Sequence, residues 1–279
     1  MAADSTNGIF DAHLHVWRID APFHRWPGAA DGGLYRTRTL GDARAAMDGA
    51  PVERVVLVQA QTDDRETDWL LETAEGDRWV AGVVGWVALD APGAPARIAA
   101  LAGRRKLLGL RPMLQAIPDP RWLLRDDVAR GVAAMVAGGL RFDALVQPRH
   151  LDMLATFADR WPDLPIVIDH AAKPRPPGDA DWAAGMAALA GRPNVWCKLS
   201  GLRTEQAPGD DPAALAGVVD RVMGWFGDRV LWGSDWPVLS AAGDGYGDWL
   251  ATTRALTARL PQDARTRLMG GAARAFYGV

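Results

Sequence analysis

Little in this chain of 279 residues can cross-link it, carry it through a bilayer or attract a polyanion. It has a single cysteine, Cys197, which excludes an internal disulfide and fits a reducing, cytoplasmic setting. No apolar run approaches the ~20 residues a membrane-spanning helix needs. Its 31 basic residues are outnumbered by 34 acidic ones, so the net charge of −3 offers nothing to nucleic acid. The compact basic run Arg104-Arg105-Lys106 reads as a solvated helix end. The opening MAADSTNGIF lacks the charged start and apolar core of a secretory leader. No glycine-rich phosphate turn follows the first strand-like run, and no G-x-S-x-G occurs; Gly233-Ser234-Asp235 is not one. These two gaps count against a nucleotide-binding open sheet and a serine hydrolase.

Histidine is scarce too, with 5 in the chain, yet two of them stand together in Asp11-Ala12-His13-Leu14-His15. In a strand, residues two apart share a face. A same-side pair of imidazoles, with Asp11 in the same row, suggests a metal or catalytic site rather than satisfied core histidines. Tryptophan is abundant at 13. Trp17, Trp86 and Trp236 follow strand-like runs, where they can line a pocket, whereas Trp225 and Trp249 read as core packing.

Apolar runs alternate with amphipathic stretches along the whole length. Strands are predicted at 8–16, 53–60, 80–89, 107–113, 142–147, 165–170, 195–201 and 229–235. VERVVLVQA, LPIVIDH and NVWCKLSG are nearly continuous in apolar residues, as strands buried on both faces are. Helices are predicted at 39–49, 64–77, 94–103, 125–138, 150–160, 180–190, 212–226 and 247–259, with a closing helix or two from Pro261 to Tyr277. Eight β-then-α units with no linker and no repeat predict one (β/α)8 TIM-barrel domain over 1–279. The long loops 17–38, 114–124, 171–179, 202–211 and 236–246 then emerge at the C-terminal face, where barrel active sites sit.

Polar residues collect at the predicted strand ends. Strand 1 supplies His13 and His15, and strand 4 supplies Arg111, with Gly109 leaving room beside it. Strand 5 ends near Gln147, Arg149 and His150. Strand 6 ends in Asp169-His170, where alternation turns Asp169 toward the helices. Strand 7 carries Lys198, with Cys197 facing away, and strand 8 ends in Asp235. Burying Lys198, His170 and Asp235 without partners would cost several kcal/mol each, so a shared pocket is the economical reading. Each has a plainer role: Asp235 as a helix cap, Arg111 in an ion pair, His150 in a first helical turn, His24 on the surface.

Together DAHLHVW, GLRPMLQ, VQPRHL, IVIDHAAKP, VWCKLSGL and VLWGSDWPV resemble the amidohydrolase superfamily, and in particular its sugar-lactonase branch. That branch includes L-fuconolactonases, L-rhamnonolactonases and 2-pyrone-4,6-dicarboxylate lactonases. The resemblance spans most of the chain and implies a (β/α)8 barrel that hydrolyses a cyclic ester. It matches His13 and His15 to the first-strand pair, His170 to the sixth-strand histidine and Asp235 to the eighth-strand acid. Strand 4 has Arg111 where two-metal members bridge their ions, which argues against a binuclear centre. His13, His15 and Asp235, with His170 available as a fourth ligand, can hold one divalent metal, Zn²⁺ first; metal-free catalysis is also open.

The chemistry expected is Asp235 as general base and His170 as its catalytic companion. Either a metal or His13, His15 and His170 as hydrogen-bond donors would polarise the carbonyl. Arg111, His150, Lys198, Trp17 and Trp236 are the expected substrate contacts, and Phe23, His24 and Trp26 a rim or lid. A neutral sugar-acid lactone is preferred to a dicarboxylated one, which asks for clustered arginines such as Arg149, Arg175 and Arg203. The alternatives are a metal-dependent decarboxylase and a silent barrel that only binds a small molecule. No nucleic-acid or membrane partner is expected.

Overall fold

The computed structural model describes residues 8–175, 178–207 and 209–279. Eight parallel strands form one sheet in sequence order: β1 Ile9–Leu14, β2 Val52–Val58, β3 Val80–Gly85, β4 Leu107–Leu110, β5 Arg141–Ala144, β6 Ile166–Ile168, β7 Val195–Leu199 and β8 Val230–Trp232. Just beyond β1 and β8 the ring closes. Asp235 N donates to His13 O and His15 N to Trp236 O, both at 2.8 Å. Helices α1 Leu40–Ala46, α2 Asp64–Glu75, α3 Ala94–Ala102, α4 Asp126–Ala137, α5 Leu151–Arg160, α6 Ala180–Ala190, α7 Ala216–Phe226 and α8 Tyr246–Leu256 follow the strands in turn. The short α9 Gln262–Thr266 and α10 Ala272–Tyr277, joined by a π turn, end the chain. This is the (β/α)8 barrel that the alternating pattern predicts. No helix among the described residues is long and apolar enough to cross a membrane.

Local chemistry starts the helices where the pattern places them. Thr39 and Asp42 make a reciprocal capping box at α1, and Asp63 and Asp179 accept backbone N–H groups at the starts of α2 and α6. The strands end earlier than predicted. Ala60, Val87 and Leu89 remain buried after leaving the ladder, so their apolar character extends the reading past the last strand bond.

Strand alternation sorts the core into two layers. Val55, Leu57 and Ile168 face the helices, while Phe10, Val56, Val58, Val167 and Leu231 fill the barrel. Helix α10 plugs the N-terminal end of the barrel with Phe276 and Tyr277. Burying Phe276 there stabilises the closure by roughly 1.5–3 kcal/mol. The opposite end is left to polar residues and loops.

Candidate active site

The first strand is not regular. Phe10 and Asp11 pair with Arg54 and Val55, but Leu14 pairs with Leu57, so β1 carries one extra residue between Asp11 and Leu14. This bulge resets the alternation. Asp11 lies on the helix side, where Tyr246 donates to its Oδ2 at 3.2 Å; His13 and His15 turn into the barrel mouth. The expected row of Asp11 with the two histidines is therefore corrected. Asp11 instead braces the bulge, its Oδ1 accepting the N–H of His13 at 3.0 Å and of Ser234 at 2.9 Å. Burial pushes its carboxyl up to about 6.

His13 Nε2 and His15 Nε2 face each other at 3.2 Å. His15 Nδ1 donates to Val58 O at 2.7 Å, which leaves a lone pair on Nε2. With the hydrogen on Nδ1 taken by Val58 O, Nε2 faces the cavity as an acceptor, not as the carbonyl-polarising donor expected from sequence. Gly233 makes the close approach of β8 feasible, because a Cβ there would meet His13 Cβ at 2.6 Å.

Arg111 follows β4 and is locked in place by Gln59, whose backbone and side-chain oxygens both accept from Nη2. Arg111 Nη1 lies 3.3 Å from Asp169 Oδ2, while its buried Nε–H has no partner among the described residues. Gly109 does not serve Arg111, contrary to expectation. A Cβ on it would strike Arg141 O at 2.4 Å, so its bareness admits the neighbouring strand.

The end of β6 overturns the alternation argument for Asp169. The strand stops at Ile168, and Asp169 continues its parity from Val167 into the barrel. His170 begins a left-handed run (φ 54°, then 48°, 61° and 53° through Lys173) that turns its ring back to the same mouth. Both residues face the site. His170 Nδ1 pairs with Ser200 Oγ at 2.9 Å, and Gly201 passes so close that a Cβ would sit 2.4 Å from that nitrogen.

Asp235 completes the cluster. Its Oδ1 lies 3.4 Å from His15 Nε2, 3.6 Å from His13 Nε2 and 3.9 Å from His170 Nε2. Burial alone would raise its pKa, but the surrounding imidazoles of His170, His15 and His13 outweigh that and hold the carboxyl below the usual range. Burial pulls His170 down to about 4, and burial with the Lys198 ammonium holds His13 well below its ordinary value. At neutral pH these two rings are uncharged and Asp235 is ionised. Deeper in the barrel, the Lys198 and Arg111 cations stand against the Asp143 and Asp169 carboxylates. Among the described residues Asp235 has imidazoles alone as its close side-chain partners.

A cavity of about 240 Å³ opens above Asp235, bordered by His15, His170 and Arg111. Trp26, Met113, Leu145 and Val238 give it apolar walls, and Gln115, Lys173 and Thr204 add polar groups. Trp26 from the long first loop forms part of the rim, as expected. The other predicted contacts do not line the cavity. Lys198 is fully buried beneath His13, on Asp143 and Asp169. Trp17 packs behind Trp26, its Nε1 donating to Arg36 O. Trp236 lies under Arg38, and His150 accepts the Gln147 N–H in the turn leading into α5. Gln115, Lys173 and Thr204 were missed because they lie in loops, where no periodicity marks an inward-facing residue. Arg203 pairs with Asp244 and Arg149 with Gln147, so the cavity gathers no arginine cluster.

The donor set fits a divalent cation. His13, His15 and Asp235 each offer one ligand atom within 4.8 Å of the others, all buried. His15 presents its Nε2 lone pair because Val58 holds its proton. His13 joins in the tautomer that places its proton on Nδ1, which has Asp169 Oδ1 at 3.4 Å.

The chain resembles proteins of known family over nearly its whole length. The amidohydrolase family model matches residues 10–279. An L-fucono-1,5-lactonase from Burkholderia ambifaria is 44% identical over 275 residues, which cover 96% of this chain and 95% of that protein. An L-fucono-1,5-lactonase from Burkholderia multivorans is 35% identical over 285 residues, again covering 96% and 95%. A solved amidohydrolase structure from Burkholderia multivorans with bound zinc has a TM-score of 0.90 at 33% identity, covering 98% of this chain and 99% of that one.

Proposed function

Because this chain belongs to the amidohydrolase family, we propose that it is a lactonase that opens a neutral sugar-acid lactone of the L-fucono-1,5-lactone type. One observation carries this reading: a carboxylate, Asp235, ringed by three imidazoles at the floor of a small cavity bordered by His15, His170 and Arg111. Cavity size and lining suit a single hydroxylated ring. Gln115, Thr204 and Lys173 can meet hydroxyls, and Trp26 offers an apolar face. A dicarboxylated lactone would need a second guanidinium beside Arg111.

Ester hydrolysis needs a base for water, a donor for the carbonyl oxygen and a proton for the leaving alkoxide. Asp235 takes the proton from water as oxygen attacks the lactone carbonyl carbon. Arg111 and neutral His170 donate to the carbonyl oxygen as its charge grows. Collapse of the tetrahedral centre breaks the ring C–O bond, and protonated Asp235 returns its proton to the released oxygen. The products are the open hydroxy acid and a regenerated carboxylate.

His13, His15 and Asp235 would hold a divalent cation, zinc by their nitrogen-rich chemistry and by the relative that carries it. Such an ion, when bound, supplies Lewis-acid polarisation of the carbonyl and acidifies water. His13 also forms a second group of possible ligands with Asp169 and His170, and the Arg111 guanidinium, 3.3 Å from His13 Nε2 and 3.3 Å from Asp169 Oδ2, opposes a second cation there. The buried, reduced Cys197 accords with a cytoplasmic setting.

A pH-indicator assay over a panel of sugar lactones, run with and without chelator, tests the reading. Acid release from an L-fuconolactone-type substrate is expected. Release from none of the panel would overturn it and turn attention to decarboxylation or simple binding.

A further inference from the structure

Two cations border the cavity, Arg111 and Lys173. Each is answered by an acid that does not itself border it. Arg111 Nη1 lies 3.3 Å from Asp169 Oδ2, and Lys173 Nζ lies 3.3 Å from Glu205 Oε1. The first pair is buried in the barrel. The second is partly open to solvent, with each side chain 21% exposed.

Backbone geometry fixes both ends of this second pair. Lys173 closes the left-handed run after β6 at φ 53°, and its N–H donates to His170 O at 2.8 Å. Glu205 ends the 3-10 turn Arg203–Glu205 after β7. Within that turn Thr204 Oγ1 donates to Gly201 O at 2.8 Å. Arg203 Nε donates to Asp244 Oδ2 at 2.7 Å, which ties the turn to the loop after β8. Two built loops therefore bring the carboxylate to the ammonium.

The pairing matters for the reaction because the charge of the ligand changes. A sugar lactone is neutral, whereas the opened acid carries a carboxylate. An ammonium has three donors, so Lys173 can meet Glu205 and still donate to a hydroxyl. Attraction for a carboxylate depends instead on net charge, and the Glu205 anion cancels most of it. We propose that Glu205 is a positioning residue that sets the site's choice of charge: it holds Lys173 as a donor to the neutral lactone and denies the anionic product a free cation. The identity of that product rests on the lactonase reading above; the masking of the ammonium does not.

Glu205→Gln keeps the size and an acceptor oxygen and removes the charge. Calorimetric titration with the open acid of L-fucono-1,5-lactone tests the proposal, beside steady-state kinetics on the lactone. The variant is expected to bind the acid about 3- to 10-fold more tightly in dilute buffer, with a smaller change in the lactone KM. Product inhibition should deepen by the same factor. Most of the gain should vanish in about 0.5 M salt, where exposed charges are screened within a few ångströms. It should also vanish in Lys173→Met/Glu205→Gln, which has no cation to unmask. Unchanged or weaker acid binding in Glu205→Gln overturns the proposal. So does a gain that persists in high salt or in the double variant. Should the wild type open no lactone, the lactonase reading fails, and the same variants titrated with acetate still decide whether Glu205 masks the ammonium.

Discussion

Asp11 Oδ1 accepts the backbone N–H of His13 at 3.0 Å, so one carboxylate on the helix side holds the kink that turns two imidazoles inward. The same oxygen takes Ser234 N and ties the first strand to the loop carrying Asp235. Asp11→Ala strands three buried donors. It is expected to lower stability by about 3 kcal/mol, since an orphaned buried group costs roughly 1–3 kcal/mol. Asp11→Asn keeps an acceptor oxygen and should cost less. Urea unfolding of both variants checks the order; equal stability of wild type and Asp11→Ala would remove the brace from the account.

Glu66 gives the protein a pH dependence of definite sign. Its Oε2 accepts Ala60 N at 3.0 Å and Gln61 N at 2.7 Å, and burial pushes its carboxyl up to about 8 from 4.5. Between those values the unfolded chain has lost this proton and the folded chain has kept it. Stability is therefore full below about 4.5 and is lost as pH rises through about 8. The loss is on the order of 5 kcal/mol, at about 1.4 kcal/mol per pKa unit. Glu66→Gln should flatten this part of the profile in urea midpoints at pH 5, 7 and 9; an unchanged slope would contradict it.

Gln61 joins the Glu66 carboxyl to the cavity rim. Its Oε1 accepts Arg25 N at 2.7 Å and Trp26 N at 3.1 Å, and its Nε2 donates back to Trp26 O. Gln61→Ala releases the loop that presents Trp26. Losing hydrogen bonds worth about 1 kcal/mol each should raise KM roughly tenfold with a smaller change in kcat. Steady-state kinetics on the preferred lactone separate the two; an unaltered KM would show that Trp26 does not bound the bound substrate.

The barrel was legible because each buried strand is a short apolar run followed by an amphipathic helix. The His13–His15 pair, His170, Arg111 and Asp235 were legible because charged and imidazole groups at such strand ends need partners. Two side-chain directions were not. The bulge after Asp11 and the left-handed run from His170 each break the two-residue period, and no residue type there announces it. Lys198 was read as a substrate contact because its burial between Asp143 and Asp169 depends on strands far apart in sequence. Met113, Gln115 and Thr204 reach the cavity from loops, where direction depends on backbone turns that periodicity does not encode.

Metal content gives a separate check on the imidazoles. Zinc titration followed by calorimetry is expected to show about one equivalent per chain, since three protein ligands make one site. His15→Ala, which removes the nitrogen preset by Val58, should weaken binding at least about 10-fold. Two equivalents, or no change in His15→Ala, would contradict the assigned ligand set.

The most direct test is initial-rate acid release from L-fucono-1,5-lactone by wild type and Asp235→Asn, both verified as folded by circular dichroism and Tm. Loss of the general base is expected to lower kcat by about 10²- to 10⁴-fold while KM stays close to the wild-type value. Turnover undiminished in Asp235→Asn would contradict the assignment of that carboxylate as the group that activates water.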